Sequence, residues 1–160
     1  YVRNGVEIAP LFFGGGQERG LRSGTENVPG IVGFSKAVEI SLKNNWKKVA
    51  GMRDLLIDNL IELGGTVHGA LGQDRIFNNV FVTFPGIDTE RLLYELSARG
   101  VYISIGSACD SKKEKEDSAL LAIGLSSAEM KSSLRISLPA DVTKKDIEYF
   151  VKVLILLLKR

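Results

Sequence analysis

The single cysteine of the chain, Cys109, lies in "SIGSACDS", residues 104–111, just before the charged run "KKEKED". A thiol reacts as its thiolate, and Lys112 and Lys113 would favour that anion and lower the thiol pKa. The other reading is a buried cysteine acting as a small hydrophobe, the commoner fate of a lone Cys. Gly106, Ser107, Ala108, Asp110 and Ser111 are small or polar, which leans toward the reactive reading. A phosphatase-like C-x5-R signature is absent, because Lys115 stands where the arginine would be. The only histidine, His68, falls in a "GGTVHGALG" turn and reads as a solvated loop residue rather than a partner for Cys109. One Cys and one His are too few for a metal cluster of soft ligands.

Two further places carry chemical residue types. "GGGQERGLRSGT", residues 14–25, opens on three consecutive glycines, which implies unusual backbone angles or a close approach. Arg19, Arg22, Ser23 and Thr25 add anion-binding groups, and exposed amides there could help form a phosphate nest. It is not a Walker loop, since Leu21-Arg22 replaces the required Lys-Ser/Thr, and Arg19 breaks the dinucleotide fingerprint. A plain structural loop and an anion site both remain open. In "SSLRISL", Arg135 interrupts an alternating apolar strand. A cation there is costly unless it is paired or binds an anion. Its side chain points either to the surface or into a site, as a carboxylate clamp.

The elements that must position these groups follow from periodicity. "YVRNGVEIAPLFF" reads as a strand and a connection closed by Pro10. Ile31, Phe34, Val38 and Leu42 have helical spacing, as do Trp46, Val49, Leu56, Leu60 and Leu63 before Gly64-Gly65. These form one broken helix or two consecutive ones. "NNVFVTF" predicts a half-buried strand, and Asp88 or Thr89 caps a helix carrying Leu92, Leu93 and Leu96, with Gly100 past its end. "VYISI" is a short strand leading into the Cys109 loop, "SALLAIG" and "SSAEM" are short helices, and "SLRISL" is a strand. Thr143 and Asp146 start a last helix burying Ile147, Phe150, Val151, Leu154 and Leu158. The order predicts an α+β layer with a small sheet covered on one face.

Composition narrows the class. The 160 residues are 44% hydrophobic and 25% charged with a net charge of +2, ordinary soluble globular material. Basic residues alternate with acidic ones, so no nucleic-acid partner is implied. The longest apolar run, "VLILLL", is too short to span a bilayer, and no signal peptide is visible. The chain opens at Tyr1 without an initiator Met, which reads as a fragment.

"GGGQERGLRSGTENVPGIVG", "NNVFVTFPGIDTERLLYEL", "GSAC" and "SSLRISL", in this order, resemble the C-terminal part of the pyridoxal-phosphate-dependent cysteine desulfurases, of the class V aminotransferase fold. The resemblance implies an α+β fold: connector helices and the small domain of a fold-type I enzyme, with an antiparallel-rich sheet covered by helices, over residues 29–160. Residues 1–28 would close the large cofactor domain. It further implies conversion of L-cysteine to L-alanine. Cys109 would be the nucleophile that holds the sulfur as a persulfide, on a loop that carries it to an acceptor for iron–sulfur cluster assembly or tRNA thiolation. Arg135 would bind the substrate carboxylate. Thr25 would reach the phosphate of the partner subunit's pyridoxal 5'-phosphate, in a cytoplasmic homodimer without metal. Phe77 replaces a usual proline, Phe81 a common asparagine and Pro139 a usual glycine, none expected to touch the chemistry. The "S-x-H-K" segment bearing the cofactor lysine is not in these residues, so the chain alone is expected to be inactive. Two other readings stand beside this one: a selenocysteine lyase-like enzyme, and a cofactor-less thiol relay or binding domain.

Overall fold

The computed structural model describes residues 2–106 and 118–158. The chain forms two compact units, Tyr1–Asn44 and Asn45–Arg160. In the first, no described residue is buried. Among the described residues the strand expected over the opening segment does not form: no described strand pairs with it, and the segment runs as turns and coil. Its one long element is α1 (Val28–Lys43), whose first turn carries Pro29 and whose N-terminus is capped by Asn27, accepting from the Gly30 amide at 3.1 Å. The helix forms as its spacing predicts, yet Phe34 is 73% and Leu42 80% exposed, since nothing in this unit covers its apolar residues.

The second unit holds a four-stranded antiparallel sheet, order β1-β2-β4-β3. Its strands are β1 (Thr66–Val67), β2 (Asn79–Thr83), β3 (Ser104–Ile105) and β4 (Ser133–Ser137). Helix α2 (Trp46–Glu62) begins afresh at the Asn45 cap, so the two helical repeats are consecutive helices. It is followed by α3 (Thr89–Ser97), capped by Asp88, by α4 (Ser118–Ala122) and α5 (Ser127–Lys131), and by α6 (Lys144–Leu158). Alternation along the strands sends Val80, Val82, Leu134 and Ile136 to one face. There they join Val49, Leu56 and Leu60 of α2, Leu92 and Leu96 of α3, and Ile147, Phe150 and Leu154 of α6 in one core. Each such side chain, fully buried, contributes about 1.5–3 kcal/mol. On α6 the buried stripe also takes in Val153 and Leu157, while Val151 and Leu158 are half-buried.

Two expectations change. Residues of "VYISI" before Ser104 do not pair; the Val101 amide donates to the Leu96 carbonyl at 3.0 Å, closing α3, with Gly100 at φ +75°. The sheet is also covered on more than one face. Phe81, Leu120 and Leu125 form a second cluster with Met130, so α4 and α5 close part of the opposite side and β2 is buried on both faces.

Candidate functional site

Arg135 sits in the middle of β4, between Phe81 of β2 and Ser104 of β3 in the antiparallel register. Directly opposed residues share a face, so Arg135 projects on the side away from the main core. Its side chain is half-buried, and among the described residues no hydrogen bond or ion pair engages it. The other inward-drawn arginines differ. Arg53 of α2 is 2% exposed and donates from Nη1 to the Arg75 and Ile76 carbonyls, both at 2.9 Å. Its Nη2 reaches the Gly72 carbonyl at 3.0 Å, and Nη2 and Nε both reach Asp54 Oδ1, at 2.7 and 2.9 Å. Arg75 in turn donates to the carbonyls of Asn79, His68 and Ala70. Burial first, and then the Arg53 charge, lowers the Arg75 pKa, against the pull of Asp54. These two cations staple the loop between β1 and β2.

Beside Arg135 runs a buried polar relay. His68 Nε2 lies 2.7 Å from Thr83 Oγ1, which lies 2.7 Å from Ser133 Oγ, and Ser133 donates to the Glu129 carbonyl at 2.5 Å. The carbonyl can only accept, so the Ser133 proton is committed to it. Thr83 must then donate to Ser133, and His68 must donate from Nε2. His68, expected in solvent, is therefore half-buried and bonded, with its ring 5.8 Å from that of Phe81. Sequence reasoning missed this because Thr83 and Ser133 meet only through strand register. The one available signal was a polar residue at the end of each apolar strand. Phe81, expected to be remote from chemistry, stands directly opposite Arg135. Phe77, the other departure, stacks on Trp46 with ring centroids 4.3 Å apart. Beyond the relay, Glu129 closes a capping box, its pKa lowered by the Ser126 hydroxyl and amide and, to a lesser extent, by the nearby His68.

The glycine-rich loop belongs to the first unit. Its turns are left-handed at Gly16 (φ +79°) and at two non-glycine residues, Glu18 (φ +49°) and Arg19 (φ +58°), which carry local strain. The loop is stitched internally: the Gly16 amide donates to Ser23 Oγ, the Gly24 amide to Gln17 Oε1, and Arg22 Nη1 to the Thr25 carbonyl at 2.6 Å. Those two amides are thus used within the loop. Thr25 is exposed, and among the described residues its hydroxyl has no partner. An exposed hydroxyl held by a stitched loop beside Arg22 fits the phosphate end of an anionic cofactor. Thr25 and Arg135 lie in different units, and Cys109 lies outside the described residues. Among the described residues no helix is long and apolar enough to cross a membrane.

The aminotransferase class-V family model matches residues 2–150. Cysteine desulfurase IscS 1 of Archaeoglobus fulgidus is 40% identical over 158 residues, covering 96% of this chain and 41% of that protein. Cysteine desulfurase IscS of Methanosarcina thermophila is 41% identical over 156 residues, covering 96% and 39%. Among solved structures, a NifS-like protein has a TM-score of 0.82 at 36% identity, covering 99% of this chain and 41% of its own. A NifS-like protein from Rickettsia africae has a TM-score of 0.79 at 28% identity, covering 97% and 41%. The chain therefore spans about two fifths of the length of the curated relatives it matches. With nearly its whole length inside the family match, the chain belongs to the aminotransferase class-V family.

Proposed function

We propose that the protein carrying this chain is a cysteine desulfurase, converting L-cysteine to L-alanine. The observation that carries the reading is Arg135: a half-buried cation in the middle of a sheet, with its donors open among the described residues. Five N–H donors in a planar fork match a carboxylate bidentately, which fixes an amino-acid substrate in orientation as well as position. Strand β3, whose Ser104 faces Arg135, leads in sequence to Cys109 five residues on.

In this reading Arg135 holds the substrate carboxylate. The Cys109 thiolate attacks the substrate sulfur; a sulfur–sulfur bond forms as the carbon–sulfur bond breaks. Cys109 is left as a persulfide and the carbon skeleton leaves as alanine. Pyridoxal phosphate, when bound, supplies the electron sink for that bond cleavage. Thr25 donates its hydroxyl to the phosphate of the partner subunit's cofactor in a cytoplasmic homodimer. Residues 1–28 close the large cofactor domain, and 29–160 make the connector and small domain. The sulfur passes from Cys109 to an acceptor protein serving iron–sulfur cluster assembly or tRNA thiolation.

The test is alanine release from L-cysteine by the full-length, cofactor-loaded protein. Turnover that disappears with Cys109→Ser, the variant remaining folded and cofactor-bound, supports the reading. Undiminished alanine release by Cys109→Ser would remove Cys109 from the mechanism. The 160-residue chain by itself is expected to release none.

A further inference from the structure

Arg135 has two flanks on its face of the sheet, and they differ. On the β2 side stands Phe81, packed with Leu120, Leu125 and Met130, which offers no donor. On the β3 side Ser104 is directly opposite Arg135 in the ladder. Residues paired in this way carry Cβ atoms about 4.5–5.5 Å apart and pointing to the same side. Both are half-buried, and among the described residues the Ser104 hydroxyl, like the guanidinium, has no hydrogen-bond partner. The neighbouring hydroxyls on this face, those of Thr83 and Ser133, are fully committed to the relay. Among the described residues the guanidinium and the hydroxyl directly opposite it are thus an adjacent pair of open donors.

A carboxylate has about four lone-pair sites on two oxygens, and a bidentate guanidinium fills two of them. A hydroxyl one strand over can fill a third. We infer that Ser104 is a second substrate-binding residue, donating from Oγ to the carboxylate that Arg135 holds and drawing it toward β3 and away from Phe81. The inference rests on the reading of Arg135 as a carboxylate clamp and deepens it: the site prefers an α-amino acid over the corresponding amine by two residues rather than one.

The experiment is calorimetric binding of L-alanine, and of ethylamine as its carboxylate-free counterpart, to the full-length cofactor-loaded protein. Ser104→Ala should weaken L-alanine binding about tenfold or more, the scale of one hydrogen bond to a charged group. Ethylamine binding should be unchanged. Ser104→Thr should restore L-alanine affinity, and Ser104→Cys, a poor donor of nearly the same shape, should behave like Ser104→Ala. An L-alanine affinity within twofold of wild type in both the Ala and Cys variants, or equal weakening of both ligands, would overturn the role of Ser104. Arg135→Ala is measured in parallel. If it weakens L-alanine while Ser104→Ala does not, only the Ser104 inference fails. If Arg135→Ala leaves L-alanine unaffected, the clamp reading itself fails.

Discussion

Arg53 and Arg135 belong to the same compact unit and are treated in opposite ways by the fold. Arg53 is almost fully buried and makes five hydrogen bonds, three to backbone carbonyls and two to Asp54. Arg135 sits in the middle of the sheet, half-buried, with none among the described residues. Drawing a guanidinium out of water costs free energy in both places. At Arg53 the chain's own acceptors offset it, and the product is a stapled loop. At Arg135 the described residues offer no such acceptor, and in the proposed function a bound carboxylate supplies it. The saturated cation marks architecture, and on the proposed reading the open one marks recognition.

The contrast breaks first at Arg53. Arg53→Met leaves the Gly72, Arg75 and Ile76 carbonyls without this donor and is expected to cost about 3 kcal/mol in urea unfolding. Arg135→Met in the same assay should change stability by no more than about 0.5 kcal/mol, the range of substitutions that remove no folded-state interaction. Equal losses at the two sites would erase the distinction. The next effect is the mirror image. In the full-length protein, Arg135→Met should lower kcat/KM for L-cysteine about 100-fold, from loss of a bidentate charged pair.

Two smaller effects sharpen the picture of what supports each region. Thr83→Val cuts the relay beside Arg135, and leaves His68 and Ser133 without their shared partner. A loss of about 1–2 kcal/mol is expected in denaturant, with most of it recovered by Thr83→Ser. The smallest concerns α6. The Thr143 hydroxyl and amide donate to Asp146, in that order of influence, and hold its pKa below the ordinary aspartate value of 3.8. A carboxylate lowered in the folded state stabilises it fully above its unfolded pKa and loses that contribution as pH falls through the lowered value. Asp146→Asn should accordingly flatten the acid side of a stability–pH profile, measured by circular dichroism, and leave the neutral side nearly parallel to wild type.

Much of this was legible in the chain. The α2 and α6 repeats, the Asp88 cap, the Thr143–Asp146 box and the strand bearing Arg135 all follow from local spacing and capping chemistry. What was not legible depends on register and on distant packing. Nothing near Arg53 in sequence announces that the carbonyls of residues 72, 75 and 76 will surround it. Phe81 reads as an innocuous departure until β2 and β4 align it with Arg135. His68 looks solvated until Thr83 is brought beneath it. The opening strand failed for the complementary reason, since an extended pattern becomes a strand only with a neighbour to pair with. For Cys109 the motif and the family resemblance remain the whole case.

The most direct test is the mass of the Cys109-containing peptide after the full-length, cofactor-loaded protein meets L-cysteine once and is quenched in acid. The account predicts one added sulfur on that peptide in the wild type. It predicts little added sulfur in Arg135→Met at the same substrate concentration, with recovery as the concentration is raised. An unmodified Cys109 peptide in an enzyme that nonetheless releases alanine would contradict it.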